Sequence, residues 1–122
     1  MAVTAFADSP RNGAWGDRPY AIIDYAGPSS YTVITTGPPA TGGQAIGPSN
    51  FGLTAPLEGI FMVGASTSGT YGVVAVQLTA YEQGSGNLTW ALMWYVLNTG
   101  AQVSANTNLS AETVRLVGFG PY

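Results

Sequence analysis

The stretch Thr36–Gly52, TGPPATGGQAIGPSNFG, constrains the fold more than any other part of the chain. Its seventeen residues hold five glycines, three prolines and no charge. Glycine in a regular element costs backbone entropy, and proline lacks a donor and clashes in a helix interior. Neither a helix nor a central strand can therefore run through it. Yet apolar Ile46 and Phe51 sit inside it. A slack linker is usually polar throughout, and long structureless loops in compact domains are uncommon. Prolines also lower the entropy lost when a segment becomes ordered. The stretch reads as a semi-rigid arm whose Ile46 and Phe51 press on a neighbouring subunit. Packing of the loop on its own domain, under a hairpin, is the alternative.

The remaining segments are short runs of β-formers between turn signals. Tyr20–Ala26 (YAIIDYA) lies between Pro19 and Gly27-Pro28 and reads as a strand. Ser30–Thr36 and Gly59–Ser66 read as two more. Thr70–Glu82 is the longest candidate, with Val74, Val76, Leu78 and Ala80 as its apolar face. Asn87–Asn98 (NLTWALMWYVLN) follows across the Gly-rich turn EQGSGN, which makes a hairpin. Glu112–Gly120 is the last strand. No window carries a helical stripe, although a short helical turn near Leu53–Leu57 is compatible with the pattern. The fold class is therefore all-β, a single compact sandwich or barrel of about six to eight strands. Residues 1–19 read as an extended N-terminal arm, with Val3, Phe6 and Trp15 as docking points. Residues 20–122 are the β domain, with a long Gly/Pro loop over 37–57.

The hairpin strand is apolar on both parities. Leu88, Trp90, Leu92, Trp94 and Val96 share one face, Ala91, Met93, Tyr95 and Leu97 the other. A strand apolar on both faces is covered on both. Its own core covers the tryptophan face. The second cover is the arm, the Gly/Pro loop or another subunit, and Met93, Tyr95 and Leu97 are candidates for a subunit interface.

Composition points the same way. Only 7% of the 122 residues are charged, three arginines and six acids, while 46% are hydrophobic. Disorder requires low hydrophobicity, so the chain folds. Soluble domains are typically about 25% charged, so much of this exterior is expected to be covered by partner protein. A net charge of −3 offers no basic stripe for nucleic acid. The start MAVTAFADSPRNG lacks a basic n-region, and no run reaches the length of a membrane-spanning helix. The expectation is synthesis in the cytoplasm and no membrane partner.

The chain holds no lysine, histidine or cysteine. The commonest bases, nucleophiles and metal ligands are thus missing, and no Ser-His or Cys-His arrangement can be built. A pair of carboxylates, Asp17 and Asp24, is the remaining enzymatic option. Asp8–Asp17 lacks the EF-hand spacing for calcium, and Gly64–Gly72 lacks the lysine and helix of a phosphate loop. The expectation is no enzyme, no cofactor and no metal.

A small, lysine-poor, cysteine-free, Gly/Ala/Thr/Val-rich β-protein that starts MAVTAF and ends VRLVGFGPY resembles small virion proteins of tailed bacteriophages. It is most similar to capsid decoration, or cement, proteins. The resemblance implies a β-rich domain bound to the major capsid protein on the outside of the shell, often as a trimer at a symmetry axis, with localisation in the virion. On that reading Phe6 and Trp15 of the arm, Ile46 and Phe51 of the loop, and Met93, Tyr95 and Leu97 form the contacts. The alternatives are a carbohydrate-binding β-sandwich, which needs Trp90 or Tyr95 exposed beside polar groups, and a tail or fibre protein. In the last strand Arg115 is expected to form an ordinary surface ion pair, with Glu112 or with an acid on a partner.

Overall fold

The structure, a computed structural model, describes residues 3–4, 11–15, 18–35, 41–54, 57–78 and 90–120; up to Arg18 it describes the main chain only. Eight strands occur in these residues: β1 Val3–Thr4, β2 Arg11–Trp15, β3 Arg18–Ala26, β4 Gln44–Ile46, β5 Gly59–Val63, β6 Tyr71–Gln77, β7 Trp90–Val96 and β8 Thr113–Phe119. A single 3-10 turn, Pro48–Phe51, is the only helical element among them. All pairings are antiparallel. Strands β1 and β2 lie end to end along one edge of β3, followed by β8 and β5; β4, β7 and β6 form a second sheet. The fold is an all-β sandwich rather than a closed barrel.

The inner faces meet in one core. Ala21, Ile23 and Tyr25 come from β3, Val114 and Leu116 from β8, Val73 from β6, and Leu92 and Trp94 from β7. Trp94 is fully buried and meets Tyr71 edge to face, with ring centroids 6.3 Å apart. Two side chains tie the sheets together. The Tyr25 hydroxyl donates to the Ala45 carbonyl at 2.9 Å. Buried Gln44 donates to the Ala26 carbonyl at 2.8 Å and accepts the Trp94 indole N–H at 2.8 Å. Such a buried amide is tolerated because its polar atoms are satisfied.

Several expectations are corrected here. The N-terminal segment does not stop at residue 19. Strand β3 already begins at Arg18, and β1 and β2 are hydrogen-bonded along it, with Trp15 opposite Arg18. The Asn12-Gly13 pair is a poor β-former, but ladder pairing overrides propensity.

The loop over 37–57 contains β4 and the 3-10 turn, and both of its apolar anchors are internal. Ile46 is 5% exposed and Phe51 is fully buried. The Phe51 ring lies against Gly118 of β8, where a Cβ would come within 2.8 Å of it. Asn50 holds this turn by accepting the Gly47 N–H, and Gly52 ends it with φ near +71°. Burying a side chain such as Phe51 stabilises a fold by roughly 1.5–3 kcal/mol. The alternative of packing on the same domain therefore holds for Ile46 and Phe51, and neither is a surface anchor.

Of the expected strand Ser30–Thr36, the described part, Ser30–Thr35, is not a ladder strand. Tyr31 and Ile34 are buried, and their segment is held by a side chain. Gln102 accepts from the Tyr31 hydroxyl and the Ile34 N–H and donates to the Ile34 carbonyl. Strand β6 turns its odd residues inward. Val73 is 5% exposed and Val74 46%, so the expected face is reversed. The parity is set by pairing, with Val73 opposite Trp94.

Candidate interaction surface

The outer face of the three-stranded sheet carries Ala45 from β4, Gly72, Val74 and Val76 from β6, and Ala91, Met93 and Tyr95 from β7. Leu97 follows directly. None of these residues is charged, and neither is any other residue of the three strands. In register, Val74 stands opposite Met93 and Gly72 opposite Tyr95. The Tyr95 ring crosses onto Gly72, where a Cβ would come within 2.7 Å of Cζ and the hydroxyl, and a Leu97 methyl lies 3.0 Å away. The absent side chain at 72 thus lets tyrosine and leucine lie flat on the sheet. Val74 and Leu97 are exposed, whereas Met93 and Tyr95 are half-buried.

The other end of this face is covered by the chain itself. Ala91 is fully buried, and Ile34 packs over Gly43 beside it. The double-sided apolarity of β7 therefore has two causes, a neighbouring loop at Ala91 and an open apolar surface from Met93 to Leu97. The described structure thus groups Met93, Tyr95 and Leu97 and adds Val74, which parity reasoning assigned to the core. Of the remaining candidates, Phe6 lies outside the described residues, and so does the side chain of Trp15, although its main chain sits in β2.

A second feature lies on the outer face of the five-stranded sheet. A cleft of about 330 Å³ is lined by Asp24, Val63, Ala65, Thr67, Thr113 and Arg115. Its charges neutralise one another. The Arg115 guanidinium grips both carboxylate oxygens of Asp24, Nε to Oδ1 at 2.9 Å and Nη2 to Oδ2 at 3.3 Å. Arg115 therefore pairs with Asp24, its cross-strand neighbour, and among the described residues no ion pair joins it to Glu112. Glu112 instead accepts from the Ser68 N–H and hydroxyl. Burial would raise its pKa, but the hydrogen bonds from Ser68 and Ser66 outweigh this and hold it below the usual range. Asp17, the other half of the possible carboxylate pair, lies outside the described residues.

Burial also raises two phenols. Tyr25 is pushed up to about 12. Tyr31 is raised by burial as well, opposed by the Trp94 main-chain N–H that donates to its oxygen. Both serve as hydrogen-bonding struts. Among the described residues no cluster of three or more acids, histidines or cysteines forms a metal cage. No helix there is long and apolar enough to cross a membrane. Neither Trp90 nor Trp94 is displayed as a stacking platform. Trp94 is enclosed, and Trp90 packs on the core and donates its indole N–H to the Leu57 carbonyl.

No protein-family model, curated protein or solved structure matches the chain.

Proposed function

We propose that this is a non-enzymatic structural protein of a bacteriophage virion, one that binds the outside of the capsid shell and braces it. The observation that carries the reading is the uncharged outer face of β4, β7 and β6, with Val74 and Leu97 exposed beside Met93 and Tyr95. Exposed apolar surface rimmed by polar loops marks contact sites on soluble proteins. A rigid sheet loses little entropy on docking, and many copies on one lattice add avidity. The engagement of Asp24 by Arg115 and of Glu112 by Ser68 supports a role without acid–base chemistry. The inward tryptophans argue against a sugar platform.

Co-sedimentation with empty shells assembled from the major capsid protein of the same genome tests this reading. The protein should pellet with the shells. Val74→Asp and Leu97→Asp, both at exposed positions, should remain folded and stay in the supernatant. Failure of the parent protein to pellet overturns the proposal.

A further inference from the structure

We infer that two copies of the chain join edge to edge through β5, antiparallel across a twofold axis at Phe61. Strand β5 is the outer strand of the five-stranded sheet and pairs, among the described residues, with β8 alone. The ladder determines which of its main-chain groups are open. Gly120 donates to the Pro19 carbonyl and Glu112 accepts from Gly27, so the even-numbered residues of β8 face β3. Thr113 accepts from Thr67 on the opposite side. The odd residues thus face β5, where Phe119, Val117 and Arg115 stand opposite Gly59, Phe61 and Val63. Main-chain groups alternate along a strand. The N–H and C=O of Ile60 and Met62 therefore point out of the sheet, while their side chains pack on the core.

Two open donors and two open acceptors on alternate residues fit one kind of partner, an extended strand. Natural edges are usually protected by lysine, proline, inward charges or bulges. Within Gly59–Val63 there is no charge and no proline. Its outer side chains Phe61 and Val63 are 47% and 48% exposed.

A second β5 satisfies the main chain and the side chains together. With Ile60 opposite Met62 of the other copy, both residues of each strand exchange their hydrogen bonds. Phe61 then meets Phe61 as a non-hydrogen-bonded pair, with Cα atoms about 4.5 Å apart. Val63 falls opposite Gly59 of the other copy, whose surface is the Phe119 ring lying across it. Each Val63 thus covers the other copy's Phe119 ring, once at each end of the pairing, a self-complementarity that a strand of arbitrary sequence lacks. The assembly is a twofold pair rather than the trimer that the resemblance implies. It uses a different sheet from the proposed capsid contact and does not depend on it.

Sedimentation equilibrium and cysteine trapping test the pairing. The parent protein should show a mass rising with concentration from 12.5 kDa to twice that value. The chain has no cysteine, so Phe61→Cys adds a single thiol at a spacing of about 4.5 Å, within disulfide range. Mild oxidation should convert it to a covalent dimer, while Ser104→Cys, on an exposed loop, should cross-link only at the rate of random collision. Phe61→Lys sets like charges opposite one another and should raise the dissociation constant about 100-fold or more. Its circular dichroism should match that of the parent, because Phe61 is half exposed. A parent that stays monomeric, an assembly that Phe61→Lys leaves intact, or trapping at 61 no faster than at 104 overturns the inference.

Discussion

Replacing Gln44 by leucine would probe the join between the two sheets. Leucine fills nearly the same volume, so the substitution removes polar contacts without opening a large cavity. It leaves the Trp94 indole N–H and the Ala26 carbonyl without the partners they have at 2.8 Å. Each orphaned buried group costs about 1–3 kcal/mol, so the expected loss is roughly 2–6 kcal/mol. Unfolding entropy is about 2.1 cal/mol/K per residue. For 122 residues this makes each kcal/mol worth about 4 °C. Thermal unfolding followed by circular dichroism should therefore show Tm lower by about 8–24 °C. Trp94→Phe in the leucine background removes one orphan. A double-mutant cycle should accordingly show the two changes together costing less than their sum, by about 1 kcal/mol or more. A Gln44→Leu protein that melts within about 3 °C of the parent, or strictly additive losses, would refute the argument that this amide ties the sheets.

Three further outcomes follow from the packing and electrostatics. Gly118→Ala brings a methyl to within 2.8 Å of the enclosed Phe51 ring, and chemical denaturation should show a loss of about 1–3 kcal/mol from overpacking. Arg115→Ala breaks a pair whose arginine side chain is 47% exposed, so the same assay should show less than about 1 kcal/mol of change. The Tyr25 phenol, pushed up to about 12 by burial, stays protonated in the fold while the unfolded chain ionises near 10. Stability should be unaffected by this group below about pH 10 and fall between 10 and 12 by up to about 1.4 kcal/mol per pH unit. Urea midpoints across that window should show the fall, and the phenolate absorbance of Tyr25 should appear only on unfolding.

The sequence was most informative where one physical signal dominated. Strands β5, β7 and β8 are runs rich in β-branched and aromatic residues, and each lies within its expected segment, while β3 fills its expected segment and starts two residues earlier, at Arg18. The inward tryptophans were legible from parity, since Trp90, Leu92 and Trp94 alternate. Strand β6 was legible as a strand but not in its facing, because Val73 and Ala75 match Val74 and Val76 in apolarity. Only the partner strand breaks that tie. Tyr31–Ile34 has strand composition yet is held by the Gln102 side chain and by the main chain of Asn106 and Thr107, about seventy residues away, which no local pattern encodes. Ile46 and Phe51 were legible as anchors, but their seat was not. It depends on Gly118, whose missing side chain becomes meaningful only after β8 lies beside the 3-10 turn. Of the candidate surface, Met93, Tyr95 and Leu97 were legible from double-sided apolarity, and Val74 was hidden by the tie on β6.

The position of β8 also bears on how the protein is made. It lies between β3 and β5, with Leu116 opposite Ile23 on one side and Met62 on the other. Ribosomes add about 5–20 residues each second, so β3 waits roughly 5–20 s after its own synthesis for its central partner. During that interval the β2–β3 hairpin can form, but the apolar inner face of β3 and one of its edges stay uncovered. The nascent chain is therefore most prone to wrong pairing just before Thr113–Phe119 emerges, and slowing translation ahead of this segment should increase aggregation rather than relieve it.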